Sequence, residues 1–140
     1  MKYFPFSRYV NLFTMLCSFL LLNACAATGS KENSIEEKVN ARWAAVLSGD
    51  FAGAYEYLSP GYRSSVSSVN YQRAMLLQRV QWNSAEYMGS ECSETTCSVG
   101  ILLGYKVIGA LPGVKAYEGT QEIQESWILI DDQWYFVPEL

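Results

Sequence analysis

Apolar positions divide the chain into three stretches with different periods. From Leu12 to Leu22 they run almost without a break, from Ile35 onward they recur every three or four residues, and from Val80 onward they follow the period of strands. The first run is about eleven residues, too short to cross a bilayer as a helix. In the second stretch Ile35, Val39, Trp43, Val46 and Leu47 share one helical face, Ser34 and Glu37 form a capping box ahead of it, and Gly49 is a natural stop. Asp50 then caps a shorter helix with Phe51, Ala54, Tyr55 and Leu58 on its inner face, ended at Ser59 because Pro60 follows. A turn at Pro60 and Gly61 and a serine-rich segment lead to a third helix over residues 68–79, with Met75, Leu76 and Leu77 as its apolar part.

The third stretch predicts strands at residues 83–92, 97–108, 120–130 and 133–137. Ser93, Glu94, Thr95 and Thr96 join the first two, so Cys92 and Cys97 face each other across a hairpin at disulfide distance. A redox-active pair is the competing reading, and it lacks the C-x-x-C spacing. Leu111, Pro112, Gly113 and Val114 read as a type II turn inside a longer loop. The last hairpin turns at Asp131 and Asp132. It carries Trp127, Ile128, Leu129 and Ile130 out and Trp134, Tyr135, Phe136 and Val137 back, so both faces need cover. One face can meet the helices, and a partner subunit or a ligand cavity could cover the other.

The N-terminal flank changes the picture. Lys2 and Arg8 precede the short apolar run and small residues follow it, the pattern of a secretory signal peptide. Leu22, Asn23, Ala24 and Cys25 resemble the lipobox of bacterial lipoproteins, with Asn23 in a position more usually held by Ala or Ser. That resemblance implies diacylglycerol on the Cys25 thiol, cleavage before Cys25 and acylation of the new amine. Residues 1–24 would leave, 25–33 would be the lipidated Cys and a flexible tether, and 34–140 would be one domain. Several acyl chains hold a protein on a membrane stably where one does so only reversibly. Ala26 is not the Asp that resembles an inner-membrane retention signal, so the expected location is the outer membrane, facing the periplasm. The competing reading is an ordinary signal peptide followed by an accidental Cys.

Loss of Lys2 and Arg8 from 10 basic residues leaves 8 against 14 acidic ones, a formal charge of −6. An acidic chain without a basic run is poorly suited to phosphate backbones, so nucleic acid is not an expected partner. With Cys17 in the signal and Cys25 acylated, Cys92 and Cys97 are the remaining cysteines, and a lone pair in an exported domain is most simply a disulfide. The chain has no His, which removes the commonest general base and the Ser-His and Cys-His nucleophile arrangements. No phosphate loop, zinc spacing or dinucleotide fingerprint is present, so no cofactor is expected.

Helices followed by long antiparallel hairpins is the order of the nuclear transport factor 2-like, or cystatin-like cone, fold. Trp43, Gly49 and Asp50, Ala54 and Tyr55, the string Ser59 to Arg63, Glu125 to Trp127 and Asp132 to Tyr135 together resemble exported bacterial members of that superfamily. The resemblance implies an α+β domain of three N-terminal helices on a curved antiparallel sheet of about four strands. It also implies a pocket between them and, commonly, a homodimer through the outer face of the sheet. Enzymes of the superfamily, such as ketosteroid isomerases and scytalone dehydratases, abstract a proton next to a carbonyl and need a base and a donor for the oxyanion. Glu86, Glu122 and Glu125, with Tyr55, Tyr57 and Tyr71, are the available substitutes, but no motif of those enzymes is reproduced. Each Glu is expected on a solvated face.

Asp50 reads as a helix cap before a catalytic acid. Arg63 reads as a lock on the helical corner or as an anion-binding group at the pocket mouth. Trp43, Trp127 and Trp134 read as core before ligand stackers. Trp43, Tyr55, Arg63, Trp127 and Trp134 are thus the candidates for a pocket or interface. The expected function is a non-enzymatic envelope lipoprotein, held in the membrane through acyl chains on Cys25, that binds another envelope protein or an apolar small molecule. The alternative is a small isomerase- or dehydratase-type enzyme using a pocket Glu and Tyr.

Overall fold

The computed structural model describes residues 30–111 and 113–139. The expected signal peptide, Cys25 and the first residues after it lie outside these, as does Pro112. A compact unit spans Lys31–Leu140. Its elements are α1 (Ser30–Ser48), α2 (Phe51–Tyr55), α3 (Pro60–Ser65), α4 (Ser68–Leu76), β1 (Val80–Cys92), β2 (Thr96–Leu111), β3 (Val114–Ile130) and β4 (Gln133–Val137). The class is α+β, with the strands in one antiparallel meander in sequence order.

The expected three helices are four among the described residues. A short helix stands where a turn was expected, because the Ser59 hydroxyl accepts from the Tyr62 N–H at 3.3 Å and Pro60 occupies the first turn, where its missing N–H costs nothing. The first helix starts at Ser30, so residues 30–33 are helical rather than tether and Ser34 is inside the helix instead of capping it. Lys31 and Glu32 are good helix formers and carry the helix upstream. The last helix ends at Leu76 rather than Arg79, and β1 begins at Val80.

The corner between α1 and α2 follows the expected chemistry. Gly49 takes φ +78°, its N–H donates to the Val46 carbonyl at 3.1 Å, and the Asp50 N–H donates to the Ala45 carbonyl at 2.9 Å. That is a Schellman cap. Asp50 then accepts from the Gly53 N–H at 2.9 Å and opens α2.

The strands are longer than expected. Leu111 pairs with Val114, so β2 and β3 close a tight hairpin where a longer loop was expected; Gly113 has φ +82°. Register sets Cys97, Val99, Ile101 and Leu103 of β2 beside Trp127, Glu125, Ile123 and Gln121 of β3. On the other side of β2 the same face carries Tyr87, Ala85 and Trp82 of β1. The core forms where this face meets Ile35, Val39, Trp43 and Val46 of α1 and Ala54, Tyr55, Leu58 and Tyr71 of the later helical segments. Breaks in register after Trp82 and after Tyr87 are the bulges that let β1 bend over it. At the other edge the Phe136 N–H donates to the Tyr57 carbonyl and the Ser59 N–H to the Phe136 carbonyl, both at 2.8 Å, so the chain after α2 covers the edge of β4.

Candidate functional site

The helical period carries a cation into the core. Arg42 lies seven residues after Ile35 on the apolar stripe of α1, and the strand period places Glu125 between Ile123 and Trp127 on the inner face of β3. Both side chains are buried, Arg42 at 6% and Glu125 at 3% exposure, and they meet: Arg42 Nη1 donates to Glu125 Oε1 at 2.8 Å. Trp43 Nε1 donates to the same oxygen at 3.1 Å and Trp127 Nε1 to Oε2 at 3.0 Å. The guanidinium carbon stands 3.9 Å from the Phe136 ring centre and 5.0 Å from that of Trp43. The pair is therefore desolvated, hydrogen-bonded and flanked by aromatic faces, the conditions under which a buried ion pair is tolerated.

Two polar atoms beside this centre have no hydrogen-bond partner among the described residues, Arg42 Nε and the Tyr71 hydroxyl. Burial pushes the Tyr71 pKa up, and the neighbouring Arg42 charge opposes that shift without cancelling it. Tyr71 is thus a neutral phenol at physiological pH.

The ion pair forms the polar corner of a cavity of about 320 Å³ between the helices and the inner face of the sheet, at the lower end of the range for small-molecule pockets. Arg42, Trp43 and Glu125 are on one side, and Trp82, Leu103 and Phe136 supply apolar wall. Trp43 and Trp82 meet edge to face at 6.2 Å. A broader hollow on the outer face of the sheet, near Gly89, Gly100 and Glu122, has a mainly polar lining.

The structure places the sequence candidates differently from one another. Trp43 lines the cavity, whereas Trp127 is fully buried behind Glu125. Trp134 is buried beside a separate surface hollow, with its indole N–H unpartnered among the described residues. The Tyr55 hydroxyl donates to the Val66 carbonyl at 2.8 Å and to that of Arg63 at 3.3 Å, which ties α2 to the end of α3. Arg63 pairs with Glu56 at 2.9 Å and stands 5.8 Å from the Tyr135 ring, outside the cavity. Cys92 and Cys97 are cross-strand neighbours with Cα atoms 4.0 Å apart and their sulfurs joined. Glu86 and Glu122 are exposed, as expected, but Glu125 is not on a solvated face. Two indole N–H donors and the Arg42 cation compensate its burial. Sequence reasoning missed Arg42; a charged residue on the apolar stripe of α1, next to Trp43, was the available signal.

An acid–base role for Glu125 would require a free lone pair facing the cavity. Two N–H groups converge on Glu125 Oε1 and one on Oε2, so three of the roughly four acceptor positions of the carboxylate are taken. Among the described residues no group of His, Cys, Asp or Glu could hold a metal ion.

Neither a family model nor a curated protein matches the chain. Solved structures do. A SEC-C motif-containing protein from Rhodopseudomonas palustris superposes with a TM-score of 0.58 at 19% identity, over 75% of this chain and 76% of that one. A second SEC-C motif-containing protein, from Psychrobacter arcticus, gives 0.55 at 10% identity over 76% of this chain, which spans only 60% of that protein. A protein from Campylobacter jejuni, provisionally assigned as a nuclear transport factor 2-like transpeptidase, gives 0.49 at 9% identity over 74% and 98%. At these identities the first two likenesses establish a shared fold and nothing about activity.

Proposed function

We propose that this chain is an exported, lipid-anchored binding module of the nuclear transport factor 2-like kind, whose open pocket between helices and sheet holds a small, largely apolar molecule without transforming it. The lipobox resemblance at Cys25 supports the anchor, and the order of helices and antiparallel hairpins supports the fold. The observation that carries the non-enzymatic reading is the closure of Arg42 and Glu125 on each other. Two ionisable groups converge inside the cavity, as catalysis would need, but the carboxylate is engaged by Arg42, Trp43 and Trp127. A ligand enters beside a pair with no net charge, so apolar contact with Trp82, Leu103 and Phe136 must supply most of its affinity.

The test is native mass spectrometry of the mature protein taken from its own membranes in mild detergent. A small adduct that is released unchanged and is lost in Leu103→Trp, which fills the cavity, is the expected result. A bare protein, or an adduct that Leu103→Trp retains, sinks the cavity reading. The unpartnered Tyr71 hydroxyl favours one second reading, an isomerase- or dehydratase-type enzyme with Glu125 as base and Tyr71 as donor. Chemical conversion of the released molecule on incubation with wild type but not with Glu125→Gln would establish it.

A further inference from the structure

The most exposed large apolar side chains among the described residues belong to one short segment. Val69 of α4 is 65% exposed, Leu76 72% and Leu77, its C-terminal cap, 74%. Tyr71 is the residue that α4 buries, so the helix turns one stripe inward and leaves a second bare. Arg73 and Gln72 stand among the bare residues, and together they line a shallow groove of about 370 Å³. Leu76 also borders a neighbouring groove with Leu47, at the C-terminal end of α1.

The charge pattern around this patch is unusual for an acidic chain. No Asp or Glu lies between Glu56 and Glu86, while Arg63, Arg73 and Arg79 all fall in that interval. Arg63 is paired with Glu56; Arg73 and Arg79 are exposed and make no ion pair among the described residues. Leucines, a valine and two arginines that make no ion pair among the described residues are complementary to a surface that is apolar just below a negatively charged layer. A second copy of the same patch is a poor occupant, because it would bring Arg73 toward Arg73 in an apolar contact.

We propose that α4 and its continuation to Arg79 dock on a membrane surface containing anionic phospholipid, with Val69, Leu76 and Leu77 in the headgroup boundary and Arg73 and Arg79 over phosphates. That a membrane is within reach rests on the export and acylation reading of Cys25. Acyl chains already supply affinity, so the patch supplies orientation. The C-terminal end of α1 lies beside Leu76, about 28 Å along the helix axis from the end at which the tether enters. Engagement of both ends therefore lays α1 along the bilayer instead of standing it upright.

Amide hydrogen exchange on the mature protein, produced from the full chain, tests this in phosphatidylethanolamine vesicles with and without phosphatidylglycerol and in neutral detergent. The expected result is slower exchange over residues 69–79 in the phosphatidylglycerol vesicles alone. The protection is lost in the double variant Leu76→Glu and Leu77→Glu, and the ratio of docked to undocked α4 falls about fivefold for each of Arg73→Gln and Arg79→Gln while the acyl chains keep the protein on the vesicle. Both leucines are largely exposed, so the variants should fold; an unchanged exchange pattern elsewhere checks it. Equal exchange over 69–79 in all three media overturns the proposal, and so does protection seen only in whole envelopes, which would indicate a protein occupant. Intact mass of the same sample reads acylation separately. If Cys25 carries no acyl chain the anchor reading fails, and flotation of the unacylated protein with phosphatidylglycerol vesicles then decides the docking of α4 by itself.

Discussion

Glu125 is the residue on which the interior depends most. Truncating it to Ala removes the acceptor of three N–H groups and leaves Arg42 charged, buried and alone. The expected loss is about 3–5 kcal/mol, a large part of the total stability of a domain of this size. Urea unfolding should show it as a lower midpoint at unchanged slope. Replacing both partners, Arg42→Met with Glu125→Leu, should recover most of the loss, because the penalty lies in the orphaned charge more than in the missing bond. A double variant as unstable as Glu125→Ala would mean that the pair itself is strongly net stabilising. Tyr71 behaves in the opposite way. Its hydroxyl is buried near the Arg42 guanidinium without a well-formed hydrogen bond among the described residues, so Tyr71→Phe should be close to neutral near neutral pH. Its folded pKa is raised above 10.0, so the native state holds this proton more tightly than the unfolded chain does. The stability linked to Tyr71 is complete below pH 10.0 and is lost as pH rises through the raised folded value. Unfolding measured from pH 8 to 11 should fall less steeply in Tyr71→Phe than in wild type; identical slopes would remove Tyr71 as a titrating group.

At the scale of elements, the hairpins carry predictions that the helices do not. Asp131 and Asp132 have φ +49° and +60°, the left-handed pair of a type I′ turn. Asp tolerates that region at a cost that Gly avoids, so Asp132→Gly should stabilise by about 0.5–1 kcal/mol, read as a higher urea midpoint. The disulfide at the hairpin between β1 and β2, whose turn lies at the same end of the sheet, closes a small loop worth about 2 kcal/mol by chain entropy. Reduction should lower the midpoint accordingly while the fold persists, because Cys97 is buried among core residues that hold its strand without the bond. These hairpins were legible in the sequence through turn residues and the spacing of two cysteines, and β4 was bounded correctly. The extra helix at Pro60 was not, since Ser59 followed by Pro reads equally as the end of one helix and the start of another, and only tertiary context chooses. The site was half legible. Trp43 stood out as a large apolar residue at helical spacing, whereas Arg42 was marked only by its place on the apolar stripe of α1 and Glu125 only by its place between Ile123 and Trp127, and the register of β3 is what brings the two together.

For the whole molecule, the distribution of charge bears on self-association. The outer face of the sheet carries Glu86 and Glu91 of β1, Ser98 and Lys106 of β2 and Glu118, Glu122 and Gln124 of β3, with Lys106 paired to Glu118 at 3.1 Å. The same face exposes Met88 and Ile108, and a two-fold contact through it would crowd unpaired carboxylates around them, unlike the interface of a stable homodimer. The outer residues of the last hairpin, Ile128, Ile130 and Tyr135, are already partly covered within the chain. The apolar stripe of α4 is the other route to a dimer, and Arg73 interrupts it. The mature protein should therefore sediment as a monomer in neutral detergent at micromolar concentration. A dimer that survives Leu76→Glu with Leu77→Glu would place the contact on the sheet and show that its carboxylates are paired across the interface. A dimer abolished by those substitutions would place it on α4 and leave that face unavailable to lipid. Sedimentation of wild type and the double variant thus separates the two surfaces, and a monomer in both leaves α4 free for a membrane and the sheet facing water.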